Sequence, residues 1–193
     1  LTRHNLTPGG AQTTDFAADT PAISADGRFI SFVSASGQLV NGDGNATSDV
    51  FVRDRQTLTT VRASAVTSGT RSNGPSDTAS ITRDGRYVVF SSNGSTLVNG
   101  DANGVRDVFI HDRNNATTAL VSVDAAATAA NGASDASSIS ADQQWIAFRS
   151  AASNLVAGDS NALSDIFVKQ RIGGAISRVS TASNGAQLSS GNV

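Results

Sequence analysis

The feature that most constrains the fold of this 193-residue chain is an internal repeat. An acidic segment recurs at a constant step of 58 residues, as NGDGNATSDVF at 41–51, NGDANGVRDVF at 99–109 and AGDSNALSDIF at 157–167. Apolar positions keep the same step without a gap, as in the column Phe32, Phe90 and Phe148. Repeats of this length are typical of solenoids, propellers and arrays, so the chain is better divided into repeat units than into conventional domains.

Each unit contains four short segments with the composition of β-strands, and no segment has sustained helical periodicity. In the first unit the dipeptide Asp26-Gly27 separates two extended runs. Such a dipeptide is a strong hairpin signal, because glycine tolerates positive φ. The third unit has Gln143 where the second has Gly85, so its turn must take another geometry or accept strain.

The aromatic residues indicate how these sheets are arranged. All of them except Phe16 fall into three columns of the repeat: Phe29/Tyr87/Trp145, Phe32/Phe90/Phe148 and Phe51/Phe109/Phe167. The second strand, FISFV at 29–33, is apolar on both faces, which is expected when neighbouring sheets cover both sides. We therefore predict an all-β, propeller-type fold whose blades have four antiparallel strands, with the nine rings in the gaps between blades. A parallel β-solenoid and separate small sandwiches are the alternatives.

The run ISADGRFISF at 23–32 followed by LVNGDGNATSDVFVRD at 39–54 resembles the TolB-like, WD-repeat-related β-propeller repeats of exported bacterial proteins. The resemblance covers essentially the whole chain and is informative about fold more than about function. It implies strands at 20–25, 28–34, 49–54 and 59–64, repeated at the 58-residue step. It also matches residues 1–7 to the outer strand of a preceding blade. The implied division is 1–19 (strand and linker of a preceding or partner blade), 20–77, 78–135 and 136–193 (blades 1 to 3).

Three blades with a spare strand cannot close into a ring, because propellers usually have four to eight blades. Open strand edges tend to be paired or protected. We therefore expect protein association or self-association through open blade edges, either in a symmetric dimer of six blades or within a longer polypeptide. The sequence favours the longer polypeptide slightly, given the surplus strand and the absence of Met.

The acidic segment supports two interpretations. A hard cation such as Ca²⁺ takes oxygen ligands from carboxylates, amides, backbone and water. The side chains that could provide them recur in every unit: Asp43, Asn45, Asp49, Asp101, Asn103, Asp107, Asp159, Asn161 and Asp165. The pattern nevertheless lacks the third acidic residue and the distant Glu of an EF-hand. In the alternative, Asp and Asn bond their own backbone two residues on and shape an Asx turn, while the second Asp anchors the start of the third strand.

Charge and motif content exclude several function classes. The net charge of −2 gives no basic stripe for nucleic acid, and the apolar runs are too short for membrane insertion. No nucleophile elbow, metalloprotease helix motif or phosphate-binding loop is present. Titratable residues mostly follow the repeat, and His111 shares a column with Arg53 and Lys169, so we expect it to point to solvent. The chain is therefore predicted not to be an enzyme.

The composition, rich in Ser, Thr, Asn, Ala and Gly, is typical of an extracellular, cell-surface or periplasmic protein. We predict a non-enzymatic structural or protein-interaction module with Ca²⁺ as a candidate stabilising ion. A lectin-like propeller that binds a glycan is the alternative, since Arg28, Arg53, Arg62 and Arg86 could face acidic sugars. A fragment of an extracellular polysaccharide lyase is a weaker one.

Overall fold

The computed structural model describes residues 2–67 and 69–188, and within these ranges it contains three four-stranded sheets and no helix. The first sheet consists of β1 (Ala18–Ile23), β2 (Phe29–Ser34), β3 (Asp49–Asp54) and β4 (Thr59–Arg62). The second consists of β5 (Ser76–Ile81), β6 (Tyr87–Ser92), β7 (Asp107–Asp112) and β8 (Thr117–Leu120). The third consists of β9 (Ser134–Ile139), β10 (Trp145–Ser150), β11 (Asp165–Gln170) and β12 (Ile176–Arg178).

Strands that follow each other in the chain are hydrogen-bonded neighbours, and every pair is antiparallel, so each sheet is a simple meander. The register of the two central strands is the same in all three sheets. It places Phe32 opposite Phe51, and the equivalent phenylalanines pair in the other two sheets. The paired rings are stacked with centroids 5.8, 5.8 and 5.9 Å apart. A buried leucine from the following loop packs on each pair, as Leu39 does in the first sheet.

The three sheets stack face to face through apolar side chains. Val50 and Val52 of the first sheet share a buried cluster with Phe90, Leu97 and Phe109 of the second. An equivalent cluster joins the second sheet to the third. Because every sheet is a four-stranded meander packed against its neighbour, the predicted all-β, blade-type propeller architecture is confirmed. We call the three sheets blades 1, 2 and 3.

The hairpin turns show how the third unit manages without glycine. Gly27 and Gly85 have φ of 70° and 71°, and Gln143 takes the same left-handed conformation with φ of 65°. Of the two possibilities that the sequence left open, the chain therefore keeps the geometry and accepts the strain. A side chain at such a φ costs about 1 kcal/mol relative to glycine.

The implied strand positions agree with the structure in the middle of the unit and differ at its ends. The third strand lies at Asp49–Asp54 as expected, whereas the first begins at Ala18 and the fourth ends at Arg62. In the N-terminal segment, residue 1 is outside the described residues. Residues 2–17 form no strand, and Leu6 makes an isolated antiparallel bridge with Gln12. None of the described residues belongs to a helix that could cross a membrane.

Candidate functional site

The acidic loop of blade 1 is organised around the first residue of β3. Asp49 accepts a hydrogen bond from Ser64 at 2.5 Å through Oδ1, and the same Ser64 oxygen accepts one from the backbone N–H of Val50 at 3.0 Å. Asn45 donates through Nδ2 to Asp49 Oδ2 at 3.4 Å, and its Oδ1 accepts from the backbone N–H of Thr47 at 3.2 Å. The loop is thus an Asx turn whose amide group faces the buried carboxylate.

The same network recurs in the other two blades. Ser122 and Ser180 donate to Asp107 and Asp165, each at 2.5 Å. The amide of Asn103 lies 2.7 Å from Asp107 Oδ2, and that of Asn161 lies 3.2 Å from Asp165 Oδ2. The loop therefore has a structural role in every unit. The serine column that completes it was not among the predicted site residues, although its 58-residue spacing is visible in the sequence.

The predicted metal ligands are brought together in threes, one set in each loop. The asparagine in each set presents its amide nitrogen to the neighbouring aspartate, and its oxygen is engaged by the backbone. The asparagine is therefore not available as an oxygen ligand, which leaves the two aspartates of each set. Across residues 2–67 and 69–188, no group of three or more His, Cys, Asp or Glu side chains could hold a metal ion. Metal binding by these residues stays a prediction.

An arginine lies beside the first aspartate of the loop in blades 1 and 3 but not in blade 2. In blade 1, Nη1 of Arg62 lies 3.3 Å from Asp43 Oδ1 and 4.0 Å from Asp49 Oδ2. In blade 3, Nη1 of Arg178 brackets the equivalent pair, 3.2 Å from Asp159 Oδ1 and 3.7 Å from Asp165 Oδ2. The equivalent position in blade 2 is Leu120. The sequence shows this exchange when the repeats are aligned, and the prediction of three equal loops overlooked it.

Burial dominates the electrostatics of these loops. It raises the pKa of Asp49, and the opposing effects of Ser64 and Arg62 are smaller. In blade 2, burial together with the charge of Asp107 raises the pKa of Asp101 to about 6. Burial also raises the pKa of Asp107, although its bonds from Ser122 and Asn103 oppose the shift. In blade 1 the charge of Arg62 opposes the rise in the pKa of both aspartates, and no cation opposes it in blade 2.

The expectation that His111 points to solvent is wrong, because its side chain is buried between blades 1 and 2. Its Nδ1 lies 2.9 Å from Oγ1 of Thr118, which donates to the backbone carbonyl of Ala65 in the preceding blade. Burial, and secondarily Arg113, lowers the pKa of His111. In the next blade, Lys169 makes a similar connection and donates to the carbonyl of Val123 at 2.7 Å. This column joins neighbouring blades.

Within the described part of the chain, blade 3 has an apolar face that no other blade covers. Val50 and Val108 are fully buried between blades, whereas Ile166 at the equivalent position is 40% exposed. Val179 is likewise half exposed, although Ala63 and Val121 in its column are buried. Trp145 of the same blade is 43% exposed. We call the surface formed by Trp145, Ile166 and Val179 the open flank.

In blades 1 and 2, an arginine from the following blade covers the aromatic ring that is equivalent to Trp145. The guanidinium of Arg113 lies 4.3 Å from the ring centroid of Phe29 in the preceding blade, and Arg171 lies 4.4 Å from that of Tyr87. Among the described residues, no arginine covers Trp145 in this way. The prediction that all nine rings fill gaps between blades is therefore wrong for Trp145, since a ring in this column is covered by the blade that follows it.

Comparison of the fold with solved structures identifies β-propellers. A putative TolB from Agrobacterium tumefaciens matches 87% of this chain with 14% identity and a TM-score of 0.56, and the match covers 51% of that protein. TolB from Acinetobacter baumannii matches 89% with 16% identity and a TM-score of 0.53, over 34% of its length. A nidogen/laminin complex structure matches 84% with 5% identity and a TM-score of 0.50, over 48% of the matched chain.

This chain therefore spans about half or less of the length of these structures. No protein-family model matches the sequence, and no curated protein matches it. At identities this low the structural matches show the fold alone. The fold is therefore that of β-propeller blades, similar to those of the two TolB structures.

Proposed function

We propose that this chain is a non-enzymatic protein-interaction module that associates with another blade-like sheet through its open flank. This proposal rests on the exposure of Ile166 and Val179 at positions that are buried in the other two blades, and on that of Trp145, whose counterpart Tyr87 in blade 2 is buried. Contiguous exposed apolar side chains typically mark protein–protein contact sites. Protein association is also a general use of such a rigid scaffold.

The repeat indicates what the partner sheet must present. Each covered flank receives the phenylalanine–leucine face of the next blade together with an arginine over its aromatic ring. Blade 1 carries the matching arginine, Arg55, which is exposed and held by a 2.6 Å bond from its Nη1 to the carbonyl of Gly27. A second copy of this chain therefore has the chemistry to cover the open flank, with Arg55 of one copy against Trp145 of the other. Two copies would give about six blades, within the usual range for closed propellers.

The location that fits this proposal is the bacterial cell envelope or the exterior of the cell. The support is the polar composition, low in Lys and Glu, and the fold likeness to TolB proteins. Glycan binding and lyase activity, the alternatives raised by the sequence, have no further observation in their favour.

The native mass of the purified chain tests the proposal. We expect sedimentation velocity to show a concentration-dependent species of about twice the 19.6 kDa chain mass. Trp145→Glu places a charge in the open flank and should shift the population to monomer. Phe16→Glu is the matched control, because Phe16 is a similarly exposed ring outside the flank, and this variant should associate like the wild type.

A wild-type chain that stays monomeric at all concentrations and also binds no added blade-containing protein through this surface would overturn the proposal. So would equal association of the wild type and Trp145→Glu. Circular dichroism of the variants separates loss of association from loss of folding.

A further inference from the structure

The acidic loop of blade 2 differs from its two sister loops in one respect that bears on ligand binding. It retains the buried aspartate pair, Asp101 and Asp107, but Leu120 stands where the other blades have an arginine. The Leu120 side chain packs against the apolar cluster between blades 1 and 2. The second loop consequently contains the anionic half of an ion pair without the cationic half.

The sister loops show that a positive charge fits between the two carboxylates. A single guanidinium nitrogen lies within 4.0 Å of both aspartates in blade 1 and again in blade 3. The aspartate side chains are buried in both cases, and the arginine side chains are mostly covered. The same backbone and the same Asp–Asn–Asp spacing are present in blade 2. The fold therefore forms the same position for a cation in all three blades. In blades 1 and 3 an arginine of the chain occupies this position.

The carboxylate of Asp101 is the second indication of a missing ligand. The residue is only 8% exposed, and no described residue forms a hydrogen bond or ion pair with its carboxylate, whose oxygens keep some contact with solvent. Asp107 differs, because its two oxygens accept from Ser122 and Asn103. A buried carboxylate without a partner is costly, and proteins usually pair it with a cation, coordinate it to a metal or protonate it.

We propose that the loop of blade 2 binds one divalent cation of the Ca²⁺ type through Asp101 and Asp107, and that Arg62 and Arg178 replace this cation in blades 1 and 3. Calcium suits the site because it accepts carboxylate, backbone and water oxygens in irregular geometry, whereas Mg²⁺ requires a near-ideal octahedron. The proposal narrows the sequence-based prediction from three equal sites to one. It is independent of the protein-contact function, since the open flank lies on blade 3.

Calorimetric titration of the cation-stripped chain with CaCl₂ tests the proposal. We expect about one ion per wild-type chain. Leu120→Arg introduces the residue found in the sister blades and should abolish binding, whereas Leu120→Met should bind like the wild type. Asp101→Asn should also lose binding while keeping the shape of the loop.

The converse variants make the test two-sided. Arg62→Leu and Arg178→Leu copy blade 2 into blades 1 and 3, and each should add about one bound ion if the arginine acts as the internal cation. Calcium should also raise the melting temperature of the wild type and leave that of Leu120→Arg unchanged, because a ligand that binds only the folded state stabilises it.

Absence of binding to the wild type would overturn the proposal, as would about three ions per wild-type chain or unchanged binding in Leu120→Arg. Where a variant melts at a much lower temperature than the wild type, the binding comparison rests on the Asp101→Asn and Leu120→Met pair, both of which preserve side-chain volume.

Discussion

Gly27 and Gly85 occupy the same turn position in successive blades but have different surroundings. Their φ angles are almost equal, at 70° and 71°. A Cβ at Gly85 would overlap the Phe29 ring of the preceding blade, whereas at Gly27 its nearest neighbour would be Arg55 Nη1 at 3.7 Å. The glycine in blade 2 therefore avoids overlap with the preceding blade, and it also eases a turn geometry that Gln143 adopts in blade 3.

This difference predicts unequal effects of the same substitution. Gly27→Ala should destabilise the chain by about 1 kcal/mol, the cost of a side chain at positive φ. Gly85→Ala adds steric overlap with Phe29, which costs roughly a further 1–3 kcal/mol. Urea denaturation of both variants measures the two losses. Equal losses would show that the Phe29 ring does not pack against this turn.

At the scale of the element, the hairpin of each of the first two blades is tied to the end of its third strand by an ion pair. Arg28 lies 2.6 Å from Asp54, and Arg86 lies 2.8 Å from Asp112. Each arginine lowers the pKa of its partner, Asp54 or Asp112, below the usual range of an aspartate. Blade 3 has glutamine at both equivalent positions, so the hairpin tolerates loss of the pair.

The pH dependence of these ion pairs follows from the direction of the shifts. A carboxylate with a lowered pKa in the folded state contributes stability above the unfolded value near 4 and loses it as the pH falls through the folded value. Arg28→Gln/Arg86→Gln should therefore melt a few degrees below the wild type at neutral pH, the small effect typical of exposed ion pairs. The gap should narrow progressively as the pH falls from about 4 towards the lowered folded-state pKa values. Thermal scans from pH 7 to pH 2 measure it, and a gap that persists unchanged at pH 2 would contradict this assignment.

The elements themselves could largely be predicted from the sequence, because strand segments and turns depend on local residues. The third strand at Asp49–Asp54 and the Asx turn at Asn45 are examples. The positions of His111 and Trp145 were not predicted correctly, since burial of a side chain on a blade depends on the neighbouring blade. Alternation within a strand cannot supply that information. The exchange of arginine for Leu120 is visible in the sequence, but its meaning depends on the distances to the two aspartates.

At the scale of the whole molecule, the two ends of the blade stack are unlike. At one end, Phe32, Leu39 and Phe51 of blade 1 are buried, and Arg55 of the same repeat unit is exposed. At the other end, blade 3 exposes Trp145 and the rest of the open flank. Contact between unlike surfaces is heterologous, and it gives a ring when the rotation between copies closes. We therefore expect copies to meet head to tail.

The most direct test of this account is site-directed cross-linking through introduced cysteines, because the chain contains no cysteine of its own. Single variants Arg55→Cys and Trp145→Cys are purified separately, mixed and treated with a bis-maleimide about as long as an arginine side chain, since a direct disulfide needs Cα atoms within about 7 Å. Head-to-tail association predicts a covalent dimer in the mixture and little in either variant alone, with a control cysteine at Phe16 giving none. A cross-link between two Trp145→Cys copies, or no cross-link in the mixture, would contradict the account.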